Sequence, residues 1–164
     1  MRFFKLIILF VAISGLALGA LSCQTLQSSA GPKTGLEITP AEIVISPALL
    51  KEPVAFKGSG FAPKEMVIVE MVLPPGFKMK GVKEGDDVGI AVGTSDENGN
   101  FTAAMEATAT LNWFFQVGWK PTVVPNLEET NPLPPGDYKI NATGLDSERV
   151  ATSTMKVVPA PKKK

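Results

Sequence analysis

Two hydrophobic textures divide this chain. Residues 6–21 are apolar almost throughout, broken chiefly at Ser14 and Gly15, whereas from residue 36 onward the apolar positions come in short runs separated by Gly, Pro, Asn and Asp. A period of two puts successive side chains on opposite faces of a strand, and no part of 36–158 carries the longer period of an amphipathic helix. The pattern predicts an all-β domain. Residues 36–38 and 43–45 read as a first strand divided at Thr39-Pro40, because proline has no amide to give to a ladder. Residues 54–58 follow, then 66–73, whose nearly continuous apolar character predicts a central strand covered on both faces. Runs 88–94 and 101–107 flank Asp96-Glu97-Asn98-Gly99-Asn100, and the Asn-Gly pair suits a turn with positive φ, so these runs are expected to pair as a hairpin. Alternation points Phe101 and Met105 inward and Glu106 toward water; Tyr138, Ile140 and Ala142, then Met155 and Val157, take the core side of the last two runs. About seven such strands fit a two-sheet sandwich.

The N-terminal texture has a different origin. Arg2 and Lys5 precede the apolar run, and Ala20-Leu21-Ser22-Cys23 closes it. A membrane-spanning helix needs about 20 apolar residues, so this shorter, interrupted run has the proportions of an export signal. It resembles the bacterial lipoprotein signal, in which small residues precede a cysteine that is diacylated and becomes the new N-terminus on cleavage, here between Ser22 and Cys23. The commonest pattern has Leu three residues before the cysteine, where this chain has Ala20. Cys23 is the only cysteine, and an unpaired thiol is unusual in an exported protein unless lipid consumes it. Each buried methylene contributes about 0.8 kcal/mol, so two or three acyl chains hold a protein at a membrane durably. The resemblance implies a covalent lipid at Cys23 and, because Gln24 rather than Asp follows, the outer membrane where a cell has two. An ordinary secretory signal and an uncleaved anchor helix are the alternatives.

The expected organisation is a signal at 1–22, a lipidated cysteine and flexible tether at 23–35, a single domain at 36–158, and a basic tail at 159–164. The tether, small and polar with Gly and Pro, should have a root-mean-square span of roughly 20 Å. The tail carries three lysines, fewer than the four to eight of a dedicated membrane-binding patch. Without Arg2 and Lys5 the remaining chain has 14 basic against 16 acidic residues, a charge that argues against nucleic acid as a partner. With no histidine in the chain, imidazole serves neither as base nor as metal ligand.

Three segments of the predicted domain carry a second resemblance. Gly58-Ser59-Gly60-Phe61-Ala62-Pro63-Lys64-Glu65-Met66-Val67, Asp96-Glu97-Asn98-Gly99-Asn100-Phe101 and Leu133-Pro134-Pro135-Gly136-Asp137-Tyr138-Lys139-Ile140-Asn141-Ala142 occur in an order similar to that of bacterial surface immunoglobulin-like repeats. The resemblance implies an immunoglobulin-like β-sandwich. These motifs are structural and say little of activity. Phe61 should plug one end of the sandwich, and the Tyr138 hydroxyl should bond to nearby backbone, as in a tyrosine corner.

Two long loops depart from the simple repeat. Residues 74–87 switch from basic to acidic, and 111–132 hold Trp113, Phe114, Phe115 and Trp119, with both tryptophans of the chain among them. Long loops in compact domains are usually functional or disordered, and aromatic content argues against disorder. The aromatics either fold back over a sheet face or edge or form a recognition surface for an envelope protein, a glycan or lipid headgroups. Asp96, Asn98 and Asn100 imitate the start of a calcium loop, but the glycine comes too early and Ala107 stands where the closing acid belongs, so a turn is expected rather than a metal site. Asp86-Asp87 and Glu128-Glu129 are adjacent loop carboxylates without the opposed spacing of a glycosidase pair. The expectation is a non-catalytic envelope binding or scaffolding module with no cofactor beyond the lipid. Alternatives are an accessory subunit pairing through sheet edges and, less favoured, a hydrolase of envelope polymers.

Overall fold

The computed structural model describes residues 33–120, 124–126 and 129–160; Ser22, Cys23, most of the tether and the terminal lysines lie outside the described residues. No helix among the described residues is long and apolar enough to cross a membrane.

The domain is all-β. Among the described residues there are ten strands: β1 (Gly35–Thr39), β2 (Glu42–Val44), β3 (Ala55–Ser59), β4 (Met66–Val72), β5 (Val88–Thr94), β6 (Phe101–Ala104), β7 (Gly118–Lys120), β8 (Val124–Asn126), β9 (Gly136–Gly144) and β10 (Val150–Val158). They form a three-stranded sheet of order β1-β3-β6, a five-stranded sheet of order β2-β10-β9-β4-β5, and the small β7-β8 pair. Strand count exceeds the expected seven because the first strand is two separate strands and the aromatic insertion contributes a pair of its own.

The interruption at Pro40 does more than break a ladder. β1 runs antiparallel to β3, whereas β2 runs parallel to β10, so the chain changes sheet at the proline. One core joins both sheets, with Ile38, Phe56 and Phe101 from the smaller and Val67, Val69, Met71, Ile140, Ala142, Met155 and Val157 from the larger. The alternation expected for β6, β9 and β10 holds: Phe101, Tyr138, Ile140, Ala142, Met155 and Val157 are buried.

Two expectations fail for an identifiable reason. Runs 88–94 and 101–107 do not make a hairpin: β5 pairs with β4 in one sheet and β6 with β3 in the other. The Asp96–Asn100 turn forms, with the Asp96 amide donating to the Asn100 carbonyl at 2.7 Å, but it carries the chain across the core rather than back along its own edge. The crossing seats Phe101 opposite Gly58 of β3, where its ring fills the space a β-carbon on that glycine would need and meets Phe61 edge-on at 5.3 Å between centroids. The second failure is β4, which lies beside the edge strand and buries one face only, leaving Met66 49 % exposed. An apolar run did not distinguish a two-sided strand from one whose outer face is half covered by neighbours.

Candidate functional site

The register places two ends of the domain apart. Met66, Gly144 and Val150 begin or close their strands at one end, while Val72, Val88, Gly136 and Val158 lie at the other. β4 alone, at about 3.3 Å per residue, separates those ends by about 20 Å. The described chain enters at the first end, where the Thr34 hydroxyl donates to the Val150 carbonyl at 2.7 Å.

That entry end is organised by Glu65, a buried carboxylate that the sequence pattern did not single out. Its Oε1 accepts from the Ala62 amide and the Ser147 hydroxyl, and its Oε2 from the amides of Asp146 and Ser147. Burial alone would push this carboxyl up, but the Ser147 hydroxyl and the amides of Ala62, Ser147 and Asp146 together hold it below the ordinary carboxylate range. Ser95 completes the cage: its hydroxyl bonds the Ala62 carbonyl and accepts from the Glu65 amide. The arrangement ties the β3–β4 loop to the β9–β10 turn, and Arg149 adds a bond from Nη1 to the Gly60 carbonyl at 2.9 Å. All of this is spent on holding loops, so Glu65 is a structural acid. The only sequence signal for it was its place in the Gly-x-Gly-Phe segment.

The opposite end carries the aromatic insertion. After β6 the chain makes a helical turn at Ala107–Ala109 that widens into a π turn at Thr110–Phe114. The four aromatics have separate fates. Phe114 is fully buried and belongs to the core, which removes it from the candidate recognition surface; its carbonyl accepts from the Leu133 amide at 2.8 Å and pins the return of the insertion. Phe115 is half-buried, and its carbonyl accepts from Asn131. Trp113 packs against the core while its indole donates to the Gly89 carbonyl at 2.9 Å, on the free side of edge strand β5. Trp119, on β7, is 44 % exposed, and its indole is oriented by a 2.8 Å bond to Asn112 Oδ1.

Between these last two residues lies a cleft of about 340 Å³ lined by Lys80, Asn112, Trp113, Gln116, Val117 and Trp119. Lys80 comes from the long 74–87 loop, so both departures from the simple repeat meet here. Gln116 is held in the left-handed region with φ 47°, which disfavours a side chain, and its buried Nε2 lacks a hydrogen-bond partner among the described residues. An unsatisfied buried amide costs about 1–3 kcal/mol, and costs of this kind collect at functional positions.

The remaining candidates fall elsewhere. Asp96 Oδ1 accepts from the Asn98 and Asn100 amides at 2.8 and 2.9 Å, so this carboxylate closes a turn, and Asn98 and Asn100 serve that turn through their backbones. The Asn100 backbone amide chiefly, with help from the Asn98 amide, the Asn100 side chain and the Gly99 amide, outweighs desolvation and holds the Asp96 carboxyl below its usual range. No group of three or more acidic or thiol ligands converges among the described residues. Asp86 and Asp87 are exposed in their loop, Glu129 is exposed beside β7, and no carboxylate lines the cleft among the described residues. The Tyr138 hydroxyl donates to the Pro134 carbonyl at 2.8 Å, four residues upstream, and burial pushes the phenol up.

These features define an all-β domain with an aromatic cleft at one end and its chain entry at the other. Compared with protein-family models and with curated proteins, the chain finds no match.

Proposed function

We propose that this chain is a lipid-anchored, immunoglobulin-like β-sandwich that works as a non-catalytic binding or scaffolding module of the bacterial cell envelope, in the outer membrane where the cell has two. The observation that carries this reading is polarity along the strands: the described chain enters beside Val150 and Gly60, and the cleft built by Trp113 and Trp119 lies at the far end. An anchor at Cys23 would be joined to the domain at its entry end, and along β4 the cleft lies about 20 Å from that end. Its mechanism is presentation, in which a rigid scaffold projects a preformed contact surface.

Support for the immunoglobulin-like sandwich comes from a first strand divided between two sheets, the order β1-β3-β6 against β2-β10-β9-β4-β5, and the Tyr138–Pro134 corner. The edge-pairing reading is weaker at β5. The Trp113 indole takes the Gly89 carbonyl and the Glu106 amide takes that of Ile90, so two acceptors on this edge are already engaged.

Intact mass and membrane fractionation of the native chain and of Cys23→Ala test the proposal. A native protein beginning at acylated Cys23, with a variant that leaves the membrane fraction, is the expected result. An unmodified native chain, or one retaining residues 1–22, overturns the anchor.

A further inference from the structure

We propose that the cleft binds a single acidic sugar residue of a polysaccharide, with Trp119 as its stacking platform and Lys80 as the partner of the sugar carboxylate; this rests on the reading of the cleft as the contact surface of the module. Four observations converge on that ligand class. The cleft, about 340 Å³, is at the small end of ligand sites and suits a ring rather than a peptide strand. Its platform is a half-exposed indole whose plane is set in advance by Asn112, as a flat ring face requires. Apart from the platform, its polar lining is rich in donors. Asn112 Oδ1 is occupied by Trp119, which leaves Nδ2 to donate; Gln116 Nε2 lacks an acceptor; and Lys80 has no ion pair among the described residues. Finally, none of the described lining residues is acidic; the Glu129 carboxylate packs against Gly118, next to Val117 and Trp119, without lining the cleft.

The balance of donors and acceptors selects the ligand. A neutral sugar offers hydroxyls that both give and take, and sites for it commonly set acceptors beside donors. Gln116 Oε1 also offers an acceptor, but the one charged group in the lining is the Lys80 ammonium, which beside two amide N–H groups and an aromatic face asks for an acceptor-rich, negatively charged ring substituent. A carboxylate on a pyranose supplies it: the ring lies on Trp119, the carboxylate faces Lys80, and a ring oxygen gives Gln116 Nε2 the acceptor it lacks. Because Gln116 Nε2 is buried, this bond requires the Gln116 side chain to turn toward the opening. Trp113 forms the floor, its indole N–H already committed to Gly89.

The test uses the full-length chain in detergent micelles, with tryptophan fluorescence and ligand-observed NMR, and two probes: a hyaluronan tetrasaccharide, which carries carboxylates, and neutral cellotetraose. The hyaluronan fragment should bind and shift the tryptophan emission, and should weaken with added salt. Trp119→Ala should weaken it about tenfold through lost stacking, and Lys80→Gln should weaken it about tenfold and abolish the salt dependence. Both variants change exposed side chains, so an unchanged melting temperature serves as the control for folding. Binding of cellotetraose with equal affinity overturns the acidic assignment, and absence of binding to the tetrasaccharide at millimolar concentration overturns the proposal. Either failure is separable from failure of the anchored-module reading, which is decided by the mass at Cys23 and by membrane fractionation.

Discussion

The carboxylate of Glu65 occupies the space that a β-carbon on Gly144 would need: such an atom would lie 2.5 Å from Oε1 and 2.6 Å from Oε2. Gly144 closes β9 and faces Val67 of β4 across the ladder, so the absence of a side chain there is what lets the acid fold down into the β9–β10 turn. A glycine on one strand and an acid just ahead of another thus form one structural unit.

Gly144→Ala should destabilise the domain by about 2 kcal/mol, because the carboxylate must give up part of its cage to make room. Combined with Glu65→Ala, which removes the group that is struck, the two costs should add to less than their sum. Chemical denaturation of both single variants and the double variant checks this; full additivity would show that the two residues do not act together.

Glu65→Gln is expected to cost about 2–4 kcal/mol despite its matching shape. Each carboxylate oxygen accepts from at least one backbone amide, Oε1 from Ala62 and Oε2 from Asp146 and Ser147. Either orientation of the new amide therefore sets an N–H group against an N–H group. A variant as stable as the native chain would contradict the cage.

The same carboxylate makes stability fall in acid. Its folded value lies below its ordinary value of 4.5, so its contribution is fully present above that pH and is lost as the pH falls from 4.5 through the folded value, where the unfolded chain takes up the proton first. Melting temperature against pH should decline across this window in the native chain and should decline less in Glu65→Gln.

Phe114 and Trp119 stand close in sequence and should respond in opposite ways. Phe114→Ala empties a fully buried site and should cost about 3–5 kcal/mol. Trp119→Ala removes a half-exposed ring and should change stability by less than about 1 kcal/mol. Comparable losses from both would mean that the whole aromatic cluster is core.

Tyr138→Phe should cost about 1 kcal/mol by removing the bond to the Pro134 carbonyl while keeping the ring. Urea denaturation measures this directly, and an unaffected midpoint would remove the corner from the account of the β8–β9 connection.

Local pattern was enough for much of this protein. The period-two alternation told which side chains of β6, β9 and β10 face inward, because a strand has only two faces and water selects between them. Proline marked the break between β1 and β2, and the Asn-Gly pair marked a turn, since both act through the backbone of a few adjacent residues. Partnership was decided elsewhere. Whether the Asp96–Asn100 turn folds a hairpin or crosses the core depends on Phe101 meeting Phe61 and Gly58, contacts that link residues about forty positions apart. The cage of Glu65 joins it to Ser147 across an interval of 82 residues, and a lone acid in a sequence carries no sign of the donors that will surround it. The aromatic insertion was visible as a cluster, but its division into a core plug at Phe114, an edge cap at Trp113 and an exposed platform at Trp119 follows from where the π turn and β7 aim each ring. Burial is a property of the neighbours that the fold brings in, and those neighbours come from loops that only tertiary structure sets side by side.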